Sequence, residues 1–264
     1  MLPTDPDALD FLRRGHIEVQ GRMVDASNAT LFCAITTDGV QAECVYKPVR
    51  GERPLWDFPD GTLAGREVAA YLTMAGAGTT LIPPTVLREG PFGSGMVQLW
   101  VDVDPERALV DVLAPAALPP QWRGVLRAED EYGNPAVLAH ADTSEVRMLA
   151  ALDVVINNAD RKGGHVLAGA DGGTYGVDHG VCLHTENKLR TVLWGFLGEP
   201  LSEEAMAGLK ILSEGIEGSL GEELCDHLTL TEVRSIRDRL RALLRRGRYP
   251  SPKDSLRPIP WPAF

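Results

Sequence analysis

Alternating hydrophobic and polar residues near the start of the chain predict a small antiparallel sheet. Three segments, residues 17–24, 31–36 and 42–47, show this alternation and are rich in β-branched residues. Asp38 and Gly39 lie in the turn between the second and third segments. An Asp-Gly pair at this place is a strong hairpin signal, because glycine readily adopts positive φ. We therefore expect a meander of three strands.

A helical period follows this meander. Apolar residues recur at spacings of three and four over residues 62–75, as on one face of a helix. Pro83 and Pro84 then interrupt the chain. Two further strands are expected over residues 85–88 and 96–103, joined by a glycine-rich link.

The pattern changes near Asp104. Residues 105–141 predict only weak helices and irregular chain. Residues 142–157 have a continuous helical stripe, with Asp142 as the expected N-cap and Glu145 as its reciprocal partner in a capping box. A predominantly helical second half therefore begins here.

The remainder of the chain supports this division. A glycine-rich hairpin is expected at residues 169–173, and the chain beyond residue 200 is helical, with a capping box formed by Thr229 and Glu232. The order of elements predicts an α+β protein with two lobes. Residues 1–103 would form an antiparallel sheet with one helix, and residues 104–264 a mostly helical lobe across a cleft.

Composition narrows the range of functions. The chain has 264 residues, of which 44% are hydrophobic and 24% charged, a balance typical of globular proteins. Its net charge of −11 argues against nucleic acid as a partner, because such partners require a basic surface.

The four cysteines form no CxxC pair, which argues against a zinc module or a disulfide framework. The N-terminal segment has no apolar stretch typical of a signal peptide. The sequence also contains no apolar run of about 18 residues. These features predict a cytoplasmic protein without a transmembrane segment.

Two aspartates are the strongest candidates for chemistry. Asp160 lies in the loop after the predicted helix at 142–157, and Asp178 follows a short strand. The hairpin between them would bring both carboxylates to one edge, and phosphoryl transfer needs carboxylates for the acceptor hydroxyl and for the metal. Taken singly, each is more typical of a turn, Asp160 beside Arg161 and Asp178 before Gly180.

Lys47 ends an apolar strand, where a lysine can contact nucleotide phosphates. Glu67, in the following helix, can pair with it. Small polar residues at 27–30 would let backbone amides face an anion, although a plain hairpin turn is the more typical explanation for this segment taken by itself.

The order of these features resembles that of kinases. The segment NNADRKGGHVL at 157–167 is similar to the Asn-Thr-Asp-Arg loop of type II phosphatidylinositol 4-kinases, and GVDHGVCLH at 176–184 to their Asp-Asn-Gly segment. GREVAAYLTMAGAGTTLIPPTV at 65–86 is similar to their helix and following strand, and GSGMVQLWVD at 93–102 to their hinge strand. The chain thus resembles the atypical, two-lobed kinases that include these enzymes, the HipA-like kinases and an uncharacterised actinobacterial group.

The resemblance implies roles for the matching residues. Asp160 would be the catalytic aspartate, and Lys162 would neutralise the transferring phosphoryl group. Asp178 would bind Mg²⁺ at the phosphates. Lys47 would contact the phosphates while Glu67 fixes its position. The cosubstrate implied is ATP, and the acceptor is a hydroxyl of an unidentified protein, small molecule or lipid.

The resemblance also implies two nucleotide-contacting segments. The loop that covers the phosphates would consist of Ser27, Asn28, Ala29 and Thr30. The hinge that contacts adenine would include Gln98, Trp100 and Val101.

His165 departs from the kinase pattern, which has an asparagine metal ligand five residues after the catalytic aspartate. Mg²⁺ prefers oxygen ligands, whereas Mn²⁺ accepts nitrogen more readily. His165 therefore leaves the metal open between Mg²⁺ and Mn²⁺. It also leaves open a pseudokinase that binds nucleotide without transfer.

The same residues are compatible with two further kinds of chemistry. The fold could serve another transfer reaction, such as adenylylation or acyl-phosphate chemistry. A metal hydrolase could use Asp178, His179, His184 and His165, although their spacing matches no known zinc-hydrolase motif.

Overall fold

The computed structural model describes residues 1–23, 28–130, 132–252 and 257–264. The helices are α1 (Ala8–Arg14), α2 (Leu63–Gly76), α3 (Ser144–Ile156), α4 (Glu203–Gly215), α5 (Ser219–Leu224) and α6 (Leu230–Arg246). The strands are β1 (His16–Arg22), β2 (Leu31–Thr37), β3 (Val40–Pro48), β4 (Thr85–Gly90), β5 (Gly93–Leu99), β6 (Val110–Leu113), β7 (Trp122–Glu129), β8 (Pro135–Ala141), β9 (Val166–Ala168) and β10 (Thr174–Gly176).

A five-stranded antiparallel sheet forms the N-terminal region, with the strand order β1-β2-β3-β5-β4. The predicted meander and the second strand pair are therefore confirmed. One face of this sheet packs against α1 through Phe11 and Leu12, a helix that the sequence pattern did not indicate. With only seven residues, α1 shows too few turns for a period to stand out.

Helix α2 confirms the helix expected at 62–75. The side chain of Thr62 caps it by accepting a hydrogen bond from the Gly65 amide at 2.9 Å. The helix is buried around most of its circumference, including the charged side chains of Arg66 and Glu67. It is wedged between the sheet and the C-terminal helices, so it has no solvent face of the usual width.

The expectation of weak helices at 105–141 was wrong, because β6, β7 and β8 form an antiparallel sheet there. The central strand β8 pairs with β6 on one side and β7 on the other. Tertiary pairing of this kind overrides local preference, which is a weak guide for strands.

The cap expected for α3 was also wrong in detail. Thr143, not Asp142, caps the helix by accepting a hydrogen bond from the Val146 amide at 3.3 Å. The Asp142 carboxylate instead accepts hydrogen bonds from Arg123 at 2.7 Å and from Arg147 at 2.6 Å. Hydrogen bonds to these two guanidinium groups are stronger than a bond to a backbone amide, so Asp142 binds the arginines and does not cap the helix.

The C-terminal region confirms the helical pattern beyond residue 200. The expected capping box of Thr229 and Glu232 starts α6. Four buried residues, Val233, Ile236, Leu240 and Leu243, carry its apolar face into a core shared with α3 and α4. No helix in the described part of the chain is long and apolar enough to cross a membrane.

A buried ion pair joins α2 to α6. The Arg66 guanidinium pairs with the Glu232 carboxylate, and both side chains are almost fully buried. Arg66 also donates to the carbonyl oxygens of Cys182, at 3.0 Å, and of Asp60, at 2.9 Å. The same Glu232 carboxylate closes the capping box at the start of α6. The ion pair therefore attaches α2, which packs on the sheet, to the N-terminal end of α6.

Loss of the Glu232 charge should destabilise the protein strongly. We expect Glu232→Gln to lower the free energy of unfolding by roughly 3 kcal/mol, because it leaves a buried guanidinium without a counter-charge while keeping a residue that suits the cap. Urea denaturation measures the change. Adding Arg66→Met should recover part of it, and Arg241→Ala at the exposed pair with Glu217 should have an effect of less than about 1 kcal/mol. Equal effects of Glu232→Gln and Arg241→Ala would contradict this assignment.

His140 on β8 is fully buried and held in its neutral form. Its Nδ1 lies 2.9 Å from the Ala141 carbonyl oxygen, and its Nε2 lies 3.0 Å from the Gly195 amide nitrogen. A carbonyl only accepts and an amide only donates, so a ring protonated at Nδ1 alone satisfies both. Burial lowers the pKa of His140 to about 4.

Stability should therefore fall on acidification through His140. Between about pH 6.5 and pH 4 the unfolded chain binds a proton at this ring and the folded protein does not, so the free energy of unfolding decreases as the pH falls. The expected contribution is about 3 kcal/mol across this range. Unfolding measured at several pH values should show a smaller slope in His140→Gln, and an unchanged slope would refute the role of His140.

Candidate active site

Lys47 is the point where three separate parts of the chain meet. It lies near the end of β3, and its Nζ is 2.6 Å from Glu67 Oε1 on α2 and 2.7 Å from Asp178 Oδ1 in the loop after β10. Burial disfavours the ammonium charge, but the two carboxylates outweigh it and raise the pKa of Lys47. The lysine is therefore a fixed cation at neutral pH.

The two carboxylates differ in their surroundings. Lys47 is the main cause that lowers the pKa of Asp178, whose side chain is half exposed. Glu67 is buried, and burial raises its pKa despite the attraction of Lys47. Asp178 adopts a left-handed backbone with φ of 59°, which is rare for a residue with a side chain. Because Lys47 lowers its pKa and its side chain is half exposed, Asp178 is an ionised carboxylate that a ligand can reach.

Glu67 also binds the chain beyond Asp178. Its Oε2 accepts a hydrogen bond from the His179 amide at 2.8 Å, while its Oε1 binds Lys47. One carboxylate therefore sets the positions of both Lys47 and the Asp178 loop.

A buried ion pair supports the loop of Asp160. Arg161 is fully buried, and its guanidinium makes two hydrogen bonds of 2.9 Å to the Asp153 carboxylate on α3. It also donates to the carbonyl oxygens of His165, at 3.2 Å, and Val177, at 3.1 Å. The turn interpretation, in which Arg161 pairs with Asp160, does not describe this structure.

Asn158 connects the same network to the backbone of Asp160. Its Nδ2 donates to Asp153 Oδ1 at 3.1 Å, and its Oδ1 accepts from the Asp160 amide at 2.9 Å. The Asp160 side chain is free of these contacts, and Lys162 Nζ lies 3.7 Å from its Oδ2. Burial raises the pKa of Asp160, and Lys162 opposes this effect.

His165 lies between the Asp160 loop and Asp178. Its Nδ1 is 3.0 Å from the Asp160 carbonyl oxygen, and its Nε2 is 3.4 Å from Asp178 Oδ2. Burial lowers the pKa of His165 to about 4, so the ring is neutral at neutral pH. Because the carbonyl requires a proton on Nδ1, the lone pair of Nε2 faces the carboxylate.

Gly163 in the same loop packs against residues 257–264. Its amide donates to the Ala263 carbonyl oxygen at 2.7 Å, and the Phe264 ring occupies the space that a Cβ on Gly163 would need. Only glycine fits at this position without displacing the ring, so Phe264 forms one side of the loop that carries Asp160 and Lys162.

The predicted phosphate-covering loop is described in part. Ser27 lies outside the described residues. Asn28 Oδ1 accepts from the Arg53 amide at 2.9 Å, the Ala29 amide donates to the Gly51 carbonyl oxygen at 3.3 Å, and Thr30 is buried. The described residues thus pack against residues 51–53, and their contact with phosphate stays a prediction.

The predicted hinge residues have different positions. Gln98 turns its side chain to Thr85, at 2.8 Å, and the Trp100 amide donates to the Glu43 carbonyl oxygen at 3.0 Å. The amide of Val101, beyond the end of β5, has no hydrogen-bond acceptor among the described residues. Of these three residues, Val101 is the one whose amide has no acceptor in the described part of the chain, and contact of the hinge with adenine stays a prediction.

Sequence reasoning missed the residues that support the loops, namely Asp153, Asn158 and Arg66. For Asn158 a signal is visible, because it belongs to the mostly polar segment 157–161 directly after an apolar helix, where polar groups are either exposed or engaged in a network. Asp153 and Arg66 lie inside helices and have no such signal.

The structure does not bring the four candidate residues of a metal hydrolase together. His179 Nε2 lies 2.6 Å from an Arg161 nitrogen, and the His184 ring packs edge-on against Phe58. Within the described ranges, no three or more metal-ligating side chains are grouped to hold an ion.

Comparisons with solved structures show the fold. The Golgi casein kinase aligns with a TM-score of 0.51 at 13% identity, over 90% of this chain and 72% of that one. The Helicobacter pylori proinflammatory kinase CtkA aligns with a TM-score of 0.51 at 9% identity, over 90% of this chain and 94% of that one. The chain therefore has a protein-kinase-like α+β fold, with an antiparallel N-terminal sheet and a helical C-terminal region.

Sequence comparison identifies a relative. The chain matches no protein-family model. It is 51% identical over 263 residues to Protein Rv2133c of Mycobacterium tuberculosis (strain ATCC 25618 / H37Rv), an alignment that covers 96% of this chain and 94% of that protein. The chain belongs to the same family as Protein Rv2133c of Mycobacterium tuberculosis.

Proposed function

We propose that the protein is an ATP-dependent phosphotransferase that moves the γ-phosphate of ATP to a hydroxyl group. The observation that carries this proposal is the contact of Lys47 with both Glu67 and Asp178, which joins β3, α2 and the loop after β10 at one point. Kinases need a lysine held by a helix glutamate and an aspartate for the metal in this arrangement. The kinase-like fold supports the same assignment.

Lys47 would bind the phosphates of ATP. Its side chain is 20% exposed, so it is close to the surface of the site but already positioned by Glu67. A nucleotide phosphate can replace Asp178 as its second partner, while Glu67 retains the lysine. Val101 would contact the base through its free amide.

The residues around Asp178 suit a divalent cation. Mg²⁺ is usually held by one or two carboxylates together with phosphate oxygens and water, so Asp178 is a sufficient protein ligand of this type. The lone pair of His165 Nε2 faces Asp178 Oδ2 at 3.4 Å, a pair of donors that a cation between them would stabilise. When bound, the metal neutralises charge on the phosphates.

Asp160 would act on the acceptor. The acceptor oxygen forms a bond to the γ-phosphorus as the bond to the ADP oxygen breaks, and the hydroxyl proton passes to the Asp160 carboxylate. Burial raises the pKa of Asp160, which makes this carboxylate a better proton acceptor than an exposed aspartate. Lys162, 3.7 Å from Asp160, would stabilise charge on the transferring group.

The acceptor is a protein, a small molecule or a lipid head group. An acidic chain with a net charge of −11 is less suited to an anionic membrane surface than a basic one, so we favour a protein or small-molecule acceptor. The finer resemblance to type II phosphatidylinositol 4-kinases and HipA-like kinases belongs to this proposal.

Nucleotide binding should depend on Asp178 and Lys47. We expect titration calorimetry with ATP to show metal-dependent binding, and Asp178→Asn and Lys47→Met each to weaken it by about tenfold or more, because each removes a charged contact. The exposed Asp226→Asn carries the same charge change and should leave binding unchanged. Comparing Mg²⁺ with Mn²⁺ tests the role of His165. Equal binding by Asp178→Asn and wild type would refute the site.

Asp160→Asn should separate binding from transfer. We expect it to keep nucleotide affinity within about twofold, because Asp160 contacts the acceptor, and to lower the rate of transfer by about 100-fold or more. Radiolabelled ATP with wild-type protein, first alone and then with cell extract as acceptor, measures transfer. Mass spectrometry of the product distinguishes a phosphoryl from an adenylyl group.

The outcomes discriminate between a kinase and a pseudokinase. Transfer by Asp160→Asn at the wild-type rate would contradict the role of Asp160. Metal-dependent binding without transfer by the wild type would favour the pseudokinase, for which the replacement of asparagine by His165 is the supporting observation.

A further inference from the structure

A cavity of about 470 Å³ lies in the helical region, away from Lys47, Asp160 and Asp178. Its walls come from the end of α3, from α6, and from the chain at residues 185–194 and 250–252. Cavities of this size hold small-molecule ligands in other proteins, where the range is about 300–1,000 Å³. None of the described residues assigned to the nucleotide site lines it.

Three arginines line this cavity, Arg239, Arg245 and Arg246 on α6. None of them forms an ion pair with a carboxylate of the described residues. Among the described residues, Asp238 is the one carboxylate in the lining. A local excess of positive charge in a chain with a net charge of −11 is a feature of this site and not of the overall composition.

Arg239 is held in place more firmly than the other two arginines. Its Nε donates to the Val155 carbonyl oxygen at 2.8 Å, and its Nη1 donates to the His184 carbonyl oxygen at 3.0 Å. Its Nη2 is buried and has no partner among the described residues. Burial lowers the pKa of Arg239 to about 10, so the guanidinium remains charged at neutral pH. Two donor hydrogens of Arg239 are thus engaged with carbonyl oxygens and Nη2 is enclosed by protein, so the second hydrogen of Nη1 is the donor left for a ligand.

Besides the arginines, both polar and apolar side chains line the cavity. Thr185 and Ser235 provide hydroxyl groups, whereas Val154, Leu189 and Trp194 provide apolar surface. A ligand that satisfies both parts has an anionic group and an apolar body. Phosphate esters have suitable oxygens for the guanidinium groups.

We propose that this cavity binds a small phosphate ester with an apolar body of about the size of an aromatic ring. The phosphate would contact Arg239 and Arg246, and the body would pack against Leu189 and Trp194. This site goes beyond the proposed phosphotransfer function and does not depend on it.

The cavity is next to the segment that supports the Asp160 loop. Leu189 lines the cavity, and the following residue, Arg190, donates from its amide to the Asn158 carbonyl oxygen at 2.9 Å and accepts from the Arg161 amide at 3.0 Å. A ligand in the cavity therefore contacts the chain that adjoins the catalytic loop.

Phenyl phosphate is a suitable probe, with inorganic phosphate and phenol as its two separate parts. We expect the folded full-length protein to bind phenyl phosphate more tightly than inorganic phosphate in titration calorimetry, and phenol weakest of the three. Arg239→Gln and Arg246→Gln should each weaken phenyl phosphate binding by about tenfold, because each removes a charged contact.

Two matched variants make the test specific. Arg241→Gln removes the same charge from the same helix, but Arg241 pairs with Glu217 and does not line the cavity, so binding should be unchanged. Lys47→Met alters the proposed nucleotide site and should also leave phenyl phosphate binding unchanged. Thermal unfolding of each variant checks that it is folded, and the exposed Arg246 keeps the test valid if Arg239→Gln does not fold.

Three results would overturn the proposal. In the first, the wild type does not bind phenyl phosphate. In the second, Arg241→Gln weakens phenyl phosphate binding as much as Arg246→Gln does. In the third, Lys47→Met loses phenyl phosphate binding while Arg246→Gln retains it. The last would place the probe in the nucleotide site. A failure of ATP to bind would refute the proposed function but leave the cavity result independent.

Discussion

The candidate site depends on helix α2, in which two adjacent buried residues of opposite charge bind different parts of the chain. Glu67 binds Lys47 of the sheet and the amide of His179, while Arg66 pairs with Glu232 of α6 and with carbonyl oxygens of the chain. Burying charges without partners is unfavourable, so each of them constrains its partner closely. The sheet and the helical region are therefore joined through one helix, and the ion pair of Lys47 forms as a consequence of folding.

A second buried ion pair fixes the loop that carries Asp160. Asp153 and Arg161 are both fully buried, and Arg161 also donates to the carbonyl oxygen of His165 and to that of Val177, the residue before Asp178. The loop is thereby held from beneath, which leaves the carboxylates of Asp160 and Asp178 accessible at its surface. Rigid support below a reactive carboxylate reduces the reorganisation that a reaction would require.

The charged groups around the candidate site differ in burial and in the kind of partner they have. The buried groups are paired and structural, whereas the more exposed groups Lys47, Asp160, Asp178 and His165 have partners that a ligand can replace. The cavity beside α6 follows a different rule, since its arginines are not neutralised by carboxylates of the described chain. Both places have a positively charged side chain beside open space, and this shared feature is the reason for proposing a ligand at each.

Some of the structure was visible in the sequence. The strand alternation of the first meander, the period of α2 and α6, and the capping box at Thr229 are local patterns, and they were predicted correctly because local spacing determines which face a residue occupies. The order of Lys47, Glu67, Asp160 and Asp178 is also visible in the sequence, and the structure brings the first two together with Asp178.

Other features were decided by tertiary structure. The sheet of β6, β7 and β8 replaced expected helices, because cross-strand pairing supplies hydrogen bonds that no local pattern records. The sequence pattern assigned no role to Arg66 or Asp153 and placed Arg161 in a turn beside Asp160, whereas all three are buried and hold the loops through their ion pairs. The sequence by itself thus determined the local elements and the candidate reactive groups. Tertiary structure decided which charges are buried and paired, because this depends on residues more than 100 positions apart, such as Arg66 and Glu232, meeting in space.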